Sequence, residues 1–159
     1  MRTPLPYGIR IALSVMVAAS VMLLGLSSSA IASEQLPIVI STQKPLGPVP
    51  GIFSTAGAFV DSGILVTQQR NVSALPSPFG VVTHLVLRFD GQHGSFTMRT
   101  QIIETVTDDP NVFANTGVWV ILDGTGAYAD LQGTGDMEGT VDDAANLITR
   151  IYAGLVHFR

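Results

Sequence analysis

The stretch LVLRFDGQHGSFTMRTQI, Leu85–Ile102, decides the fold. Apolar Leu85, Leu87 and Phe89 recur at every second position up to Asp90-Gly91-Gln92-His93-Gly94, and Phe96, Met98 and Ile102 resume the rhythm on the far side. A period of two on both flanks of a glycine-rich turn is the signature of a β-hairpin. Pairing Phe89 with Phe96 sets Leu87 against Met98 and Leu85 against Thr100. One face then holds Leu85, Leu87, Phe89, Phe96, Met98 and Ile102, and the other holds His84, Arg88, Ser95, Thr97, Arg99 and Gln101. A slip of one residue would mix the two sets, so burial of one face selects this register. Glu104 falls on the apolar face.

The same β-like texture runs from Gly51 to the C-terminus. Val, Ile, Thr and aromatic residues are interrupted every 8–15 residues by Gly, Asp, Asn and Pro, and no segment keeps the i, i+3, i+4 spacing of an amphipathic helix. Strands are expected over Ile52–Phe59, Gly63–Val72, Val81–Phe89, Ser95–Thr107, Thr116–Leu122, Tyr128–Val141 and Leu147–Phe158. A second hairpin is expected to turn at Asp142–Asn146. Pairing Val141 with Leu147 would place Glu138 opposite Arg150, a favourable cross-strand pair. It would also put His157 on the inner phase and Ile148, Tyr152, Val156 and Phe158 outside. Gly133, Gly135 and Gly139 would share one face of the preceding strand, as a tightly curving barrel wall allows.

Upstream of Gly51 the pattern changes. Residues 33–50, with Pro37, Pro45, Pro48 and Pro50, read as an extended lead-in or edge segment, because proline removes a ladder donor. Residues 1–32 read as a cleavable signal peptide: Arg2 and Arg10, an apolar run Ile11–Leu26, then Ala30-Ile31-Ala32. That apolar run is shorter than the roughly 20 residues a membrane anchor needs. The expected division is therefore a signal peptide at 1–32, a lead-in at 33–50 and one β-barrel domain at 51–159, secreted to the extracellular space or periplasm.

Composition removes several classes of function. The chain has no cysteine, hence no disulfide, thiolate metal site or thiol nucleophile. After the leader, Lys44, Arg70, Arg88, Arg99, Arg150 and Arg159 face twelve acidic side chains. That balance offers no footprint for nucleic acid or anionic lipid, so neither nucleic acid nor, after cleavage, a membrane is an expected partner. No nucleophile elbow, zinc-protease helix, Walker loop or kinase set occurs. The Asp pairs Asp108-Asp109 and Asp142-Asp143 lack the order of a calcium loop and read as solvated turns. No metal and no cofactor is expected.

Thr116-Gly117-Val118-Trp119-Val120-Ile121, Gly124-Thr125-Gly126-Ala127-Tyr128 and Leu131-Gln132-Gly133-Thr134-Gly135 together resemble the glycine-rich strand–turn–strand of the allene oxide cyclase-like and dirigent-like β-barrels. The resemblance covers about the last 100 residues and is sharp over about 20 of them. It implies an all-β, single antiparallel barrel of about eight strands, often trimeric, with an apolar cavity. It implies either cyclisation or isomerisation of a reactive hydrophobic substrate, or no activity. It carries over no catalytic position.

The residues themselves supply the site candidates. Glu104 is the catalytic candidate: on an inner face it is either a buried acid whose surroundings disfavour the charged form, or a strand-end residue reaching water. Tyr128, Trp119 and His157 are the cavity candidates. Each has a plainer reading, respectively packing over glycine, core packing and capping at a barrel mouth. Three functions follow: a secreted barrel binding a small apolar ligand, a cyclase or isomerase without metal or cofactor, and a structural protein of the cell envelope. The state of the interior separates them. A sealed core supports the third, an open apolar cavity the first, and an open cavity bordered by Glu104 or Tyr128 the second.

Overall fold

The computed structural model describes residues 34–75 and 80–159, so the signal-peptide reading falls outside the described residues. The described chain is a closed, eight-stranded antiparallel barrel whose strands pair in sequence order. They are β1 (Leu36–Pro45), β2 (Gly51–Gly57), β3 (Ser62–Ala74), β4 (Val81–Gly91), β5 (Ser95–Val106), β6 (Val112–Gly124), β7 (Leu131–Asp142) and β8 (Leu147–Phe158), with a single 3-10 turn at Gly126–Tyr128. Closure removes the unpaired edges that would otherwise template aggregation.

Alternation explains the wall. Ile38 and Ile40, Leu85, Leu87 and Phe89, Phe96, Met98 and Ile102 point inward and are buried. His84, Arg88, Arg99, Gln101, Asp136 and Glu138 are exposed on the outer face. Apolar side chains share that outer face, among them Val39, Ile52, Ile103, Val118, Ile151 and Leu155. The β4–β5 hairpin has the register its sequence dictates: Phe89 pairs with Phe96, Leu87 with Met98 and Leu85 with Thr100.

Two expectations are corrected. First, much of the supposed lead-in is a barrel stave. β1 pairs along its length with β8, from Leu36–Val156 to Pro45–Leu147, and with β2 from Ile38–Gly57 to Gln43–Ile52. Its prolines lie at the second and last positions of the strand, so the run between them keeps its ladder donors. The seven strands read from the pattern thus become eight. Second, β7 and β8 pair one residue away from the expected register: Val141 opposes Ile148, Glu138 opposes Ile151, and Arg150 opposes Gly139. The cause is the turn. Asp142 itself pairs with Leu147, leaving Asp143–Asn146 as a four-residue loop with Asn146 in the left-handed region at φ 53. The Asp142 carboxylate accepts the Ala145 amide at 2.8 Å and holds the loop. The shift inverts β8. Ile148, Arg150, Tyr152 and Val156 face inward, and His157 lies on the outer phase.

The barrel's two ends differ. The end that carries the β4–β5 turn is filled by Phe53, Phe59, Phe89, Phe96 and Tyr128, with Phe89 and Phe96 stacked at 4.6 Å and Phe53 edge-on to both. Each such aromatic pair adds about 0.5–1.5 kcal/mol beyond the area it buries. The opposite end, where β1, β3, β5 and β7 finish, is open.

Candidate functional site

The open end encloses a cavity of about 660 Å³, within the range of small-molecule sites. Its apolar lining is Leu46, Leu85, Phe113, Val141 and Ile148, and its charged lining is Lys44, Arg70, Arg150, Glu104 and Asp143. Strand alternation places them. Lys44 is the last inward position of β1, Arg150 and Ile148 are the first of β8, and Glu104 is the inward residue near the end of β5. Thr83 and Leu85 extend the lining down β4.

Two of these cations are buried: Lys44 is 7 % exposed and Arg150 8 %. Space for Arg150 comes from its cross-strand partner Gly139, where a Cβ would fall 2.8 Å from the Arg150 side chain. Lying across that glycine, Arg150 donates from Nη2 to the Asn115 side-chain oxygen of β6 at 3.1 Å. Its Nε is buried without a partner. One inward step deeper, the fully buried Tyr152 hydroxyl also lacks a partner; Arg150 and Thr42 lie near it outside hydrogen-bonding geometry. Burial raises the Tyr152 pKa, and Arg150 and Thr42 offset part of the rise. Lys44 donates to the Pro45 carbonyl at 3.1 Å and to the Gly47 carbonyl. Burial lowers its pKa, and repulsion from Arg150 and Arg70 lowers it further.

Each expected site residue has a definite place. Glu104 borders the cavity, half-buried at the strand end, beside Asn115 on the neighbouring strand. Tyr128 is at the opposite, closed end. Its hydroxyl donates to the buried Asp61 carboxylate at 2.6 Å, so it is no cavity hydroxyl. Burial is the main cause that raises the Tyr128 pKa, and the adjacent Asp61 adds to it. Trp119 is core. Its indole lies against Gly154, where a Cβ would come within 2.7 Å of the ring, and Nε1 donates to the Asp136 carbonyl at 2.9 Å. His157 lies with Gly133, Gly135, Gly154 and Leu155 in a groove of about 520 Å³ on the outer wall of β7 and β8, not at the mouth. The structure therefore brings Glu104 to the cavity and leaves Tyr128, Trp119 and His157 away from it.

The sequence reading missed Lys44, Arg70 and Arg150. The signal for Arg150 was present in the Ile148, Tyr152, Val156 alternation but was read in the wrong phase. Lys44 was set aside with the prolines. Among the described residues no group of three or more His, Cys, Asp or Glu side chains converges on a metal-sized site. No family model, no curated protein and no solved structure matches the chain.

Proposed function

We propose that this chain is an exported binding barrel that holds one small, largely apolar molecule in its mouth cavity. The observation that carries the reading is the contrast between the ends: one packed with aromatic rings, the other an open cavity of about 660 Å³ whose wall mixes apolar with polar and charged side chains. A structural protein would gain stability by filling that space, since cavities cost dispersion contacts. Native mass spectrometry of the protein purified from its own host tests the reading. A non-covalent small-molecule adduct that disappears on denaturation is expected; protein that is ligand-free and takes up no apolar compound contradicts it. The export half of the proposal rests on residues 1–32, and N-terminal sequencing of secreted material should begin at or near Ser33.

A cyclase or isomerase, as the family resemblance implies, is the second reading, and the placement of Glu104 on the cavity wall favours it. There Glu104 would donate or take a proton at the bound substrate while the cavity holds the reactive conformer. Glu104→Gln keeps the shape and removes the titrating group. Turnover of a reactive substrate should fall at least tenfold with the fold intact; affinity changed only modestly, with no turnover in either form, leaves binding alone.

A further inference from the structure

We propose that the occupant of the mouth cavity is an apolar organic monoanion, its carboxylate seated on Arg150 and Lys44 and its body against Leu85, Phe113, Val141 and Ile148. The inference rests on the small-molecule reading above and adds the charge and orientation of the ligand.

A cation withdrawn from water is stable only when paired or well hydrogen-bonded. Lys44 and Arg150 are buried and hydrogen-bonded, Lys44 to the Pro45 and Gly47 carbonyls and Arg150 to Asn115, yet neither has a carboxylate partner: among the described residues the ion pairs are Arg88–Asp90 and His93–Asp61. All twelve side-chain carboxylates of the chain belong to described residues, so no unseen acid is available to either cation. The two instead sit in a like-charge cluster with Arg70, in a chain whose net charge is −4. A fold selected for stability alone would place apolar side chains here, since replacing unpaired buried charge with well-packed apolar groups is stabilising. Gly139 makes room for the Arg150 side chain, and Asn115 fixes one of its nitrogens. The Arg150 Nε and the Tyr152 hydroxyl one step deeper are unpartnered but shut off from the cavity, so a ligand meets Arg150 at its terminal nitrogens. Those nitrogens donate in one plane, as a carboxylate requires.

Charge counting fixes the valence. The lining carries Lys44, Arg70 and Arg150 against Glu104 and Asp143, one positive charge in excess. A single negative group neutralises it, whereas a dianion would meet Glu104 uncompensated. Leu85, Phe113, Val141 and Ile148 give the rest of the ligand an apolar wall, beside Thr67, Gln68, Gln69 and Thr83, so its body is largely hydrocarbon or aromatic.

Two fluorescent probes sharing one aromatic body separate the terms: 8-anilinonaphthalene-1-sulfonate, a monoanion, and neutral N-phenyl-1-naphthylamine. The anion should bind the native protein at least about tenfold more tightly, a difference of about 1.4 kcal/mol. Decanoate should displace it where 1-decanol does not, and inorganic phosphate should compete poorly. Arg150→Met and Lys44→Met, on separate strands and each checked for fold by circular dichroism, should each weaken the anionic probe about tenfold. Both should leave the neutral probe within about twofold. Equal affinity for the two probes, or anion binding indifferent to both substitutions, overturns the inference and leaves the binding barrel standing. Failure of both probes to bind the folded native protein removes the binding reading itself and this inference with it.

Discussion

Asp61 sits in the segment between β2 and β3 and ties the closed end together. Its carboxylate accepts the Tyr128 hydroxyl at 2.6 Å and the amides of Ser62 at 2.7 Å and Gln92 at 3.0 Å, with the His93 amide at 3.4 Å. Burial alone would raise its pKa, but these donors outweigh burial and hold it at about 2. Because the folded value lies below the ordinary one, the stabilisation is present above the unfolded pKa and is lost as pH falls from about 4 through about 2. Asp61→Asn should destabilise the barrel by about 2–3 kcal/mol at neutral pH. It should also flatten the acid limb of a urea-midpoint-against-pH curve. An unchanged limb would show that the carboxylate is not ionised there. Arg150 makes the opposite case. If its burial serves a ligand, Arg150→Met should raise the melting temperature of the ligand-free protein, by up to several degrees, while abolishing the preference for anions. A lower melting temperature would mark Arg150 as a structural group.

Among the elements, legibility followed the contrast between faces. β4 and β5 alternate cleanly, so both partners of the hairpin, and Glu104 with them, could be placed from sequence. β8 offers no such contrast: Leu147 and Ile148, Ile151 and Tyr152, Leu155 and Val156 are adjacent apolar pairs. β7 carries glycines where its inward side chains would be, so neither strand announces its phase. The four-residue loop at Asp143–Asn146 then settled the register, and with it the side of the wall on which Arg150 lies. The β4–β5 register makes a paired prediction. Leu87→Asp should unfold the domain, since Leu87 is buried and a lone charge there is uncompensated. Arg88→Asp, on the outer face, loses only the exposed 2.7 Å pair with Asp90 and should cost less than about 1 kcal/mol by denaturant titration. Similar losses from both would refute the facing assignment. On β7, Gly139→Val should drive Arg150 from its place, because a Cβ there meets both the Thr149 carbonyl and the Arg150 side chain. Anion affinity should fall with it, whereas Thr140→Val on the exposed side should change nothing.

Over the whole molecule, closure explains both what the sequence disclosed and what it withheld. The all-β class follows from alternation and the absence of helical periodicity, while the closed barrel of about eight strands was what the family resemblance implied, the glycine spacing being compatible with a curved wall. The closing stave β1 was hidden by its flanking prolines, and the cavity could not be located because it is assembled from seven strands distant in sequence. Lys44 and Arg150 are brought together only by the β1–β8 seam, where Lys44 pairs with Ile148 and Thr42 with Arg150. Placing the ligand in this cavity rather than in the outer groove near His157 is the central claim. It is tested most directly by amide chemical-shift mapping of the native protein titrated with 8-anilinonaphthalene-1-sulfonate. Saturable shifts centred on Lys44, Glu104, Asn115, Val141 and Arg150, with the Asp61–Tyr128 end silent, are the predicted result. Shifts centred on Gly133, Gly135, Leu155 and His157, or spread over the outer wall, would contradict it.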